Sequence, residues 1–314
     1  MLLETSICLM LKKDMKKNME QQRFGNLVFI PGNNAGKYPF CNSLFIDGEI
    51  KGIVDPASDE QALADLPRTG AEDMLINSHY HEDHFTFNRL FADARLLVHD
   101  KDAPCFTSLE TLLDAYGVDE GSEAAVFWRQ ILVESFHFQE RTPDRELVDG
   151  DILDFGGTRL EVVHIPGHTP GHIGLYCEHE GVLFTGDLDM TGFGPWYGDR
   201  VSDIDDTIAS VRRLMDITAR IYITSHNMGV LSGDIRPMAE AYLAVIDERE
   251  EKILNFLEGP KTLEEIAGQW FIYKKPRQPE AFFMFGERGM VGKHLERLAA
   301  QGLVGCESDR YFRL

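Results

Sequence analysis

Apolar positions follow two periods along this chain. Short runs rich in Val, Ile and Phe lie at Leu27 to Ile30, Leu44 to Asp47 and Ile53 to Asp55, separated by the turn-forming stretches GNNAGKYP and DGE. Such runs between turn signals predict strands. Glu60 to Leu66 reads as a helix, and Met74 to Asn77 and Leu96 to His99 as further strands. Residues 103–140 then switch to helical spacing through Leu109, Leu112, Leu113, Tyr116, Val126, Phe127 and Ile131, which predicts a helical insertion. Strand signals resume at Arg159 to His164, Gly174 to Cys177 and Val182 to Thr185. A helix at Ile204 to Asp216 and a strand at Ile221 to Thr224 follow.

From about Asp234 the helical period dominates. Ala239 to Leu257 predicts a long amphipathic helix, and Thr262 with Glu265 three residues on predicts a capping box. Val291, Leu295 and Leu298 mark one apolar helix face, and residues 301–314 read as a turn and a short hairpin. Helix, helix and hairpin together suggest a small winged-helix-like module. The expected division is an N-terminal extension over 1–20, a main domain over 21–235 carrying the 103–140 insertion, and a C-terminal module over 236–314.

The formal charge of −21 argues against a general polyanion partner, because nucleic-acid binding rests on Lys and Arg neutralising phosphates. The tail from Gly259 carries nine Lys and Arg against seven Asp and Glu, too weak a balance for a basic stripe. Packing or homodimerisation is the reading favoured for it over nucleic-acid binding. Five scattered cysteines without a CxxC pair read as reduced thiols in a cytoplasmic protein. No apolar run reaches the ~18 residues that suggest a membrane span. Residues 1–20 lack the order of features of an export signal, and the start is open between Met1, Met15 and Met19.

The chemistry concentrates in His79-Tyr80-His81-Glu82-Asp83-His84, directly after a predicted strand. Alternate side chains of an extended segment share a face, so His79 and His81 can share one metal, and Asp83 and His84 can face a second. Further candidates lie just past three other strands: His168 in PGHTPGH, Asp187 in GD, and His226 in SH. Six of the eleven histidines fall in these segments. The segment GFGPWYG after Asp187 offers Trp196 and Tyr197 as substrate contacts, and the 103–140 insertion is read as a lid.

In order and spacing, these segments resemble the metallo-β-lactamase superfamily over about residues 24–230. The GHTPGH form is similar to glyoxalase II and its thioesterase-like relatives. The resemblance implies an α+β fold, a four-layer αββα sandwich with metals at one edge. It also implies a first metal on His79, His81 and His168, a second on Asp83, His84 and His226, and Asp187 bridging. His172 is then a structural hydrogen-bonding residue. Two divalent ions are expected, zinc by default, with iron or manganese suited to the same ligands. Such a pair would deliver hydroxide to a small carboxyl derivative, a thioester or lactone, with Asp83 also orienting the nucleophile. The alternatives are a single-strand endoribonuclease, as in the similar branch of β-lactamase-like protein 2, a di-iron redox enzyme, and an inactive binding protein. Charge counts against the first. The second is disfavoured because His81 stands where the flavodiiron branch usually has Glu, and the third because the ligand set is complete.

Overall fold

The computed structural model describes residues 20–314, so the expected N-terminal extension lies outside the described residues apart from Glu20. The first half forms a seven-stranded sheet of β1 (Gln22–Phe24), β2 (Leu27–Ile30), β3 (Ser43–Asp47), β4 (Lys51–Val54), β5 (Met74–Ile76), β6 (Arg95–His99) and β7 (Arg145–Leu147), in sequential order. β1 to β4 pair antiparallel and β4 to β7 parallel. The second sheet runs β13 (Val230–Ser232), β12 (Ile221–Ile223), β11 (Val182–Phe184), β10 (Ile173–Cys177), β9 (Arg159–His164) and β8 (Ile152–Asp154).

Period-two alternation explains the layering. In β2, Leu27 and Phe29 point between the sheets while Val28 and Ile30 point outward. The inter-sheet core joins those residues to Leu160, Val162, Leu175 and Phe184 of the second sheet. Each fully buried side chain of this kind contributes about 1.5–3 kcal/mol of transfer free energy. Helices cover both outer faces, giving the αββα sandwich. Over the first sheet lie α1 (Glu60–Ala64) and the one-turn α2 (Glu82–Phe85). The insertion covers the same face and folds as α3 (Ala103–Thr107), α4 (Leu109–Tyr116) and α5 (Glu123–Glu134). Over the second lie α6 (Ile204–Asp216) and the start of α7 (Arg236–Phe256).

The C-terminal segment continues with α8 (Leu263–Ala267), α9 (Glu280–Ala300) and the hairpin β14 (Val304–Glu307) to β15 (Arg310–Arg313). Thr262 and Glu265 form the capping box at α8. The expected division at 235/236 meets a helix that serves both sides. Ala239 and Tyr242 of α7 pack with the second sheet, whereas Ile246 and Ile253 pack with α9. Strands β1, β7, β8 and β13 are three residues each and were not separable from loop by periodicity. The four described cysteines are free thiols, and no helix of the described residues is long and apolar enough to cross a membrane.

Candidate metal centre

The loop after β5 carries His79 to His84, that after β9 His168, that after β11 Asp187, and that after β12 His226. All reach one rim of the sandwich. His79, His81, His168 and Asp187 offer donor atoms within 4.8 Å of one another, and so do Asp83, His84 and His226. Asp187 stands between the groups: Oδ1 is 3.0 Å from His84 Nε2, and Oδ2 lies 3.3 Å from His168 Nε2 and 3.4 Å from His226 Nε2.

Each histidine is held from behind by one ring nitrogen. His84 Nδ1 donates to Asp55 Oδ2 at 2.9 Å, His168 Nδ1 to the Trp196 carbonyl at 3.0 Å, and His226 Nδ1 to the Gly36 carbonyl. His81 uses the opposite nitrogen, donating through Nε2 to Asp199 Oδ2 at 2.8 Å. Ser78 Oγ gives its only proton to Asp55 Oδ2, so His79 Nδ1 must be the donor in its 3.0 Å contact with that hydroxyl. In the neutral rings the five remaining nitrogens therefore present lone pairs to the centre.

Lone pairs facing one another at 3.1 Å (His79 to His81) and 3.2 Å (His79 to His168) repel unless a cation lies among them. Two of the five buried polar side-chain atoms without a hydrogen-bond partner among the described residues, His84 Nε2 and Asp187 Oδ1, also belong to this centre. Electrostatics agree. Burial opposes a charged His226 ring, yet the Asp187 carboxylate pushes its pKa up to about 10. Burial would raise Asp187, but His84, His226 and His79 hold its carboxyl well below the usual range. The arrangement demands positive charge, and an imidazole–carboxylate donor set with fixed tautomers fits divalent metal ions.

Sequence reasoning missed three supports. Asp55 ends the run after β4 and accepts from Ser78 N, Ser78 Oγ and His84. Asp199 accepts from Tyr80 as well as His81. Glu82 is buried and accepts from the Tyr38 and Tyr116 hydroxyls. Asp55 obeys the same rule that singled out Asp187, a carboxylate just past an apolar strand, so it could have been found. His172 is structural as expected: Nδ1 donates to the Ile165 carbonyl and Nε2 accepts from Asp187 N–H. A Cβ on Gly186 would sit 2.2 Å from that ring at φ +54°, so glycine is required there.

Beside the donors opens a cavity of about 690 Å³ lined by Trp196, Asp83, Asp187 and residues of the insertion and α9. Of the two residues expected to touch substrate, Trp196 lines this cavity. Tyr197 does not. It is fully buried, and its hydroxyl is shared between Arg249 and His294, both at 2.8 Å, because successive residues of the loop point to opposite sides. Arg249 of α7 is itself 2% exposed and also donates to the Phe193 and Pro195 carbonyls, fixing this loop from the core side.

A family model of the metallo-beta-lactamase superfamily matches residues 39–226. Among curated proteins, hydroxyacylglutathione hydrolase of Synechococcus sp. (strain JA-2-3B'a(2-13)) is 30% identical over 176 residues, 55% of this chain and 57% of that protein. Acyl-coenzyme A thioesterase MBLAC2 of Bos taurus is 29% identical over 154 residues, 47% of this chain and 52% of that protein. The chain thus spans little more than half the length of these relatives. In structure it is similar to the metallo-beta-lactamase family protein TTHA1429 from Thermus thermophilus, at TM-score 0.70 and 27% identity over 92% of this chain and 99% of that one.

Proposed function

The chain belongs to the metallo-beta-lactamase superfamily, and from that premise we propose that it is a dinuclear metal-dependent hydrolase of thioesters. The observation that carries the reading is the convergence of five histidine lone pairs and two carboxylates at the rim of a cavity. In this reading His79, His81 and His168 hold one divalent ion, Asp83, His84 and His226 the other, and Asp187 is shared. Zinc suits the donors, and iron or manganese fit them also. When bound, such ions supply an activated water at neutral pH and positive charge for a developing oxyanion.

The chain's own residues position and enclose. Asp83, at the cavity wall, orients the attacking water through its carboxylate. Asp199 and the Trp196 carbonyl keep His81 and His168 in one tautomer and one orientation. Trp196 and the insertion shield the acyl carbon from bulk water. Two curated relatives are named for thioesters, an acylated glutathione and an acyl-coenzyme A, which favours a thioester over a lactone. RNA cleavage is disfavoured by the formal charge of −21, since binding a polyanion rests on Lys and Arg neutralising phosphates. Residues 236–314 then act as a winged-helix-like module that walls the cavity.

The test is hydrolysis of the acetyl thioester of N-acetylcysteamine before and after chelation. Turnover that disappears with the metal and returns with added zinc, iron or manganese is expected. Undiminished turnover in the metal-free protein, or none in the loaded protein, would overturn the proposal.

A further inference from the structure

Beyond the donor atoms, the cavity is walled by aromatic rings from outside the metal-binding motifs. Trp128 of α5 meets Phe282 and Phe285 of α9, each with ring centroids 5.6 Å away. Tyr38 lies 5.3 Å from Phe282, and Tyr116 lies 5.3 Å from Trp128. All five rings line the cavity, and Phe282 and Phe285 are only half-buried. Apolar faces left open in a concave, connected wall mark a binding surface.

The hydroxyls of Tyr38, Tyr116 and Tyr242 and the indole N–H of Trp196 are already used. The Tyr38 and Tyr116 hydroxyls both donate to Glu82, Tyr242 donates to the Asp187 carbonyl, and Trp196 Nε1 donates to the Tyr273 hydroxyl. These side chains therefore offer ring faces and edges to an occupant. Glu82 adjoins Asp83 in sequence, so the slot begins beside the proposed metal ligands. An aliphatic wall would accept alkyl and aryl groups according to area alone. A wall of rings adds offset and edge-to-face pairing that only another ring can reciprocate.

Resting on the thioester reading above, we propose that the acyl group of the substrate bears an aromatic ring, seated on the cavity side of the contacting rings of α5 and the first turns of α9 with its carbonyl toward the metal ligands. Trp128, Phe282 and Phe285 are then the residues that set specificity.

The experiment compares phenylacetyl and cyclohexylacetyl thioesters of N-acetylcysteamine on the full chain. The two match in length, and the methylene insulates the carbonyl from the ring, so intrinsic reactivity is alike. A kcat/KM about tenfold higher for phenylacetyl is expected from two or three ring pairs. Phe282→Leu and Trp128→Leu should each lower that ratio about two- to threefold while metal content stays as in the parent. Binding of phenylacetate against cyclohexylacetate, read by quenching of tryptophan fluorescence, should show the same preference without any turnover. If no thioester is hydrolysed but phenylacetate keeps its advantage, the thioester reading fails and the aromatic slot stands. Equal kcat/KM values with equal affinities for the two acids would overturn the slot while leaving thioester hydrolysis intact.

Discussion

The two sides of the cavity are built on opposite principles. The sheet-rim side is polar, buried and satisfied from behind: every inward-facing histidine has a fixed partner, from Asp55 and Asp199 to the Gly36 and Trp196 carbonyls. The helical side is aromatic: Trp128 of α5 is buried, while Phe282 and Phe285 of α9 are half-buried and open toward the cavity. The loop 193–199 joins them. Its Trp196 carbonyl serves His168, while its core side is held by Arg249 and packed closely by α9. A Cβ on Gly289 would lie 2.0 Å from the Gly198 carbonyl, so only glycine lets α9 approach there. The contrast teaches that the chemistry resides on the rim and the selection on the helices, with α7 and α9 bearing on both through one loop.

Breaking the rim should cost most after loss of a ligand itself. Asp199→Ala removes the acceptor of His81 and Tyr80, and should weaken metal affinity or activity about 10–100-fold. Metal titration of the variant checks this, and unchanged affinity would show that His81 needs no support. Loosening the joint should cost less. Arg249→Met keeps the bulk but strips donors from two carbonyls and the Tyr197 hydroxyl, leaving buried acceptors that cost about 1–3 kcal/mol each in stability. A fall in kcat/KM of about tenfold is expected, since small displacements of positioning groups are amplified in rate. Full activity would separate α7 from the site.

At the tether between insertion and rim the expected change is in stability with pH and not in chemistry. Asp102 accepts from Thr169 Oγ and Gly171 N–H, and burial raises its pKa to about 7 despite those hydrogen bonds. Between the ordinary value of 3.8 and about 7, the folded state holds a proton that the unfolded state has lost. Stability should therefore fall as pH rises through that window, by on the order of 4 kcal/mol from this group at about 1.4 kcal/mol per pH unit. Asp102→Asn should flatten the fall in denaturant unfolding at pH 4, 5.5 and 7. An unchanged slope would assign it to other groups.

The rim was legible in the sequence because its signals are local. HYHEDH sets its ligands within six residues, and His168, Asp187 and His226 each follow an apolar strand. The strands and helices were legible for the same reason, since the apolar run of β2 and the helical spacing in α6 are short-range patterns. The helical wall was not. Phe282 and Phe285 sit in an apolar stretch without clear amphipathic period, at the start of a 21-residue helix whose face is decided by contacts with α5 more than 140 residues earlier. Tyr197 misled for a related reason: nothing local tells which of two adjacent aromatics turns inward, and a buried arginine 52 residues away decides it.

The most direct test of the two-metal account is elemental analysis of the purified chain beside its Asp187→Ala variant, each assayed on the acetyl thioester. The account predicts two divalent metal equivalents per chain with turnover in the parent, and a reduced metal content with no hydrolysis in the variant. A parent that hydrolyses without metal, or a variant that keeps both equivalents and full activity, would contradict it.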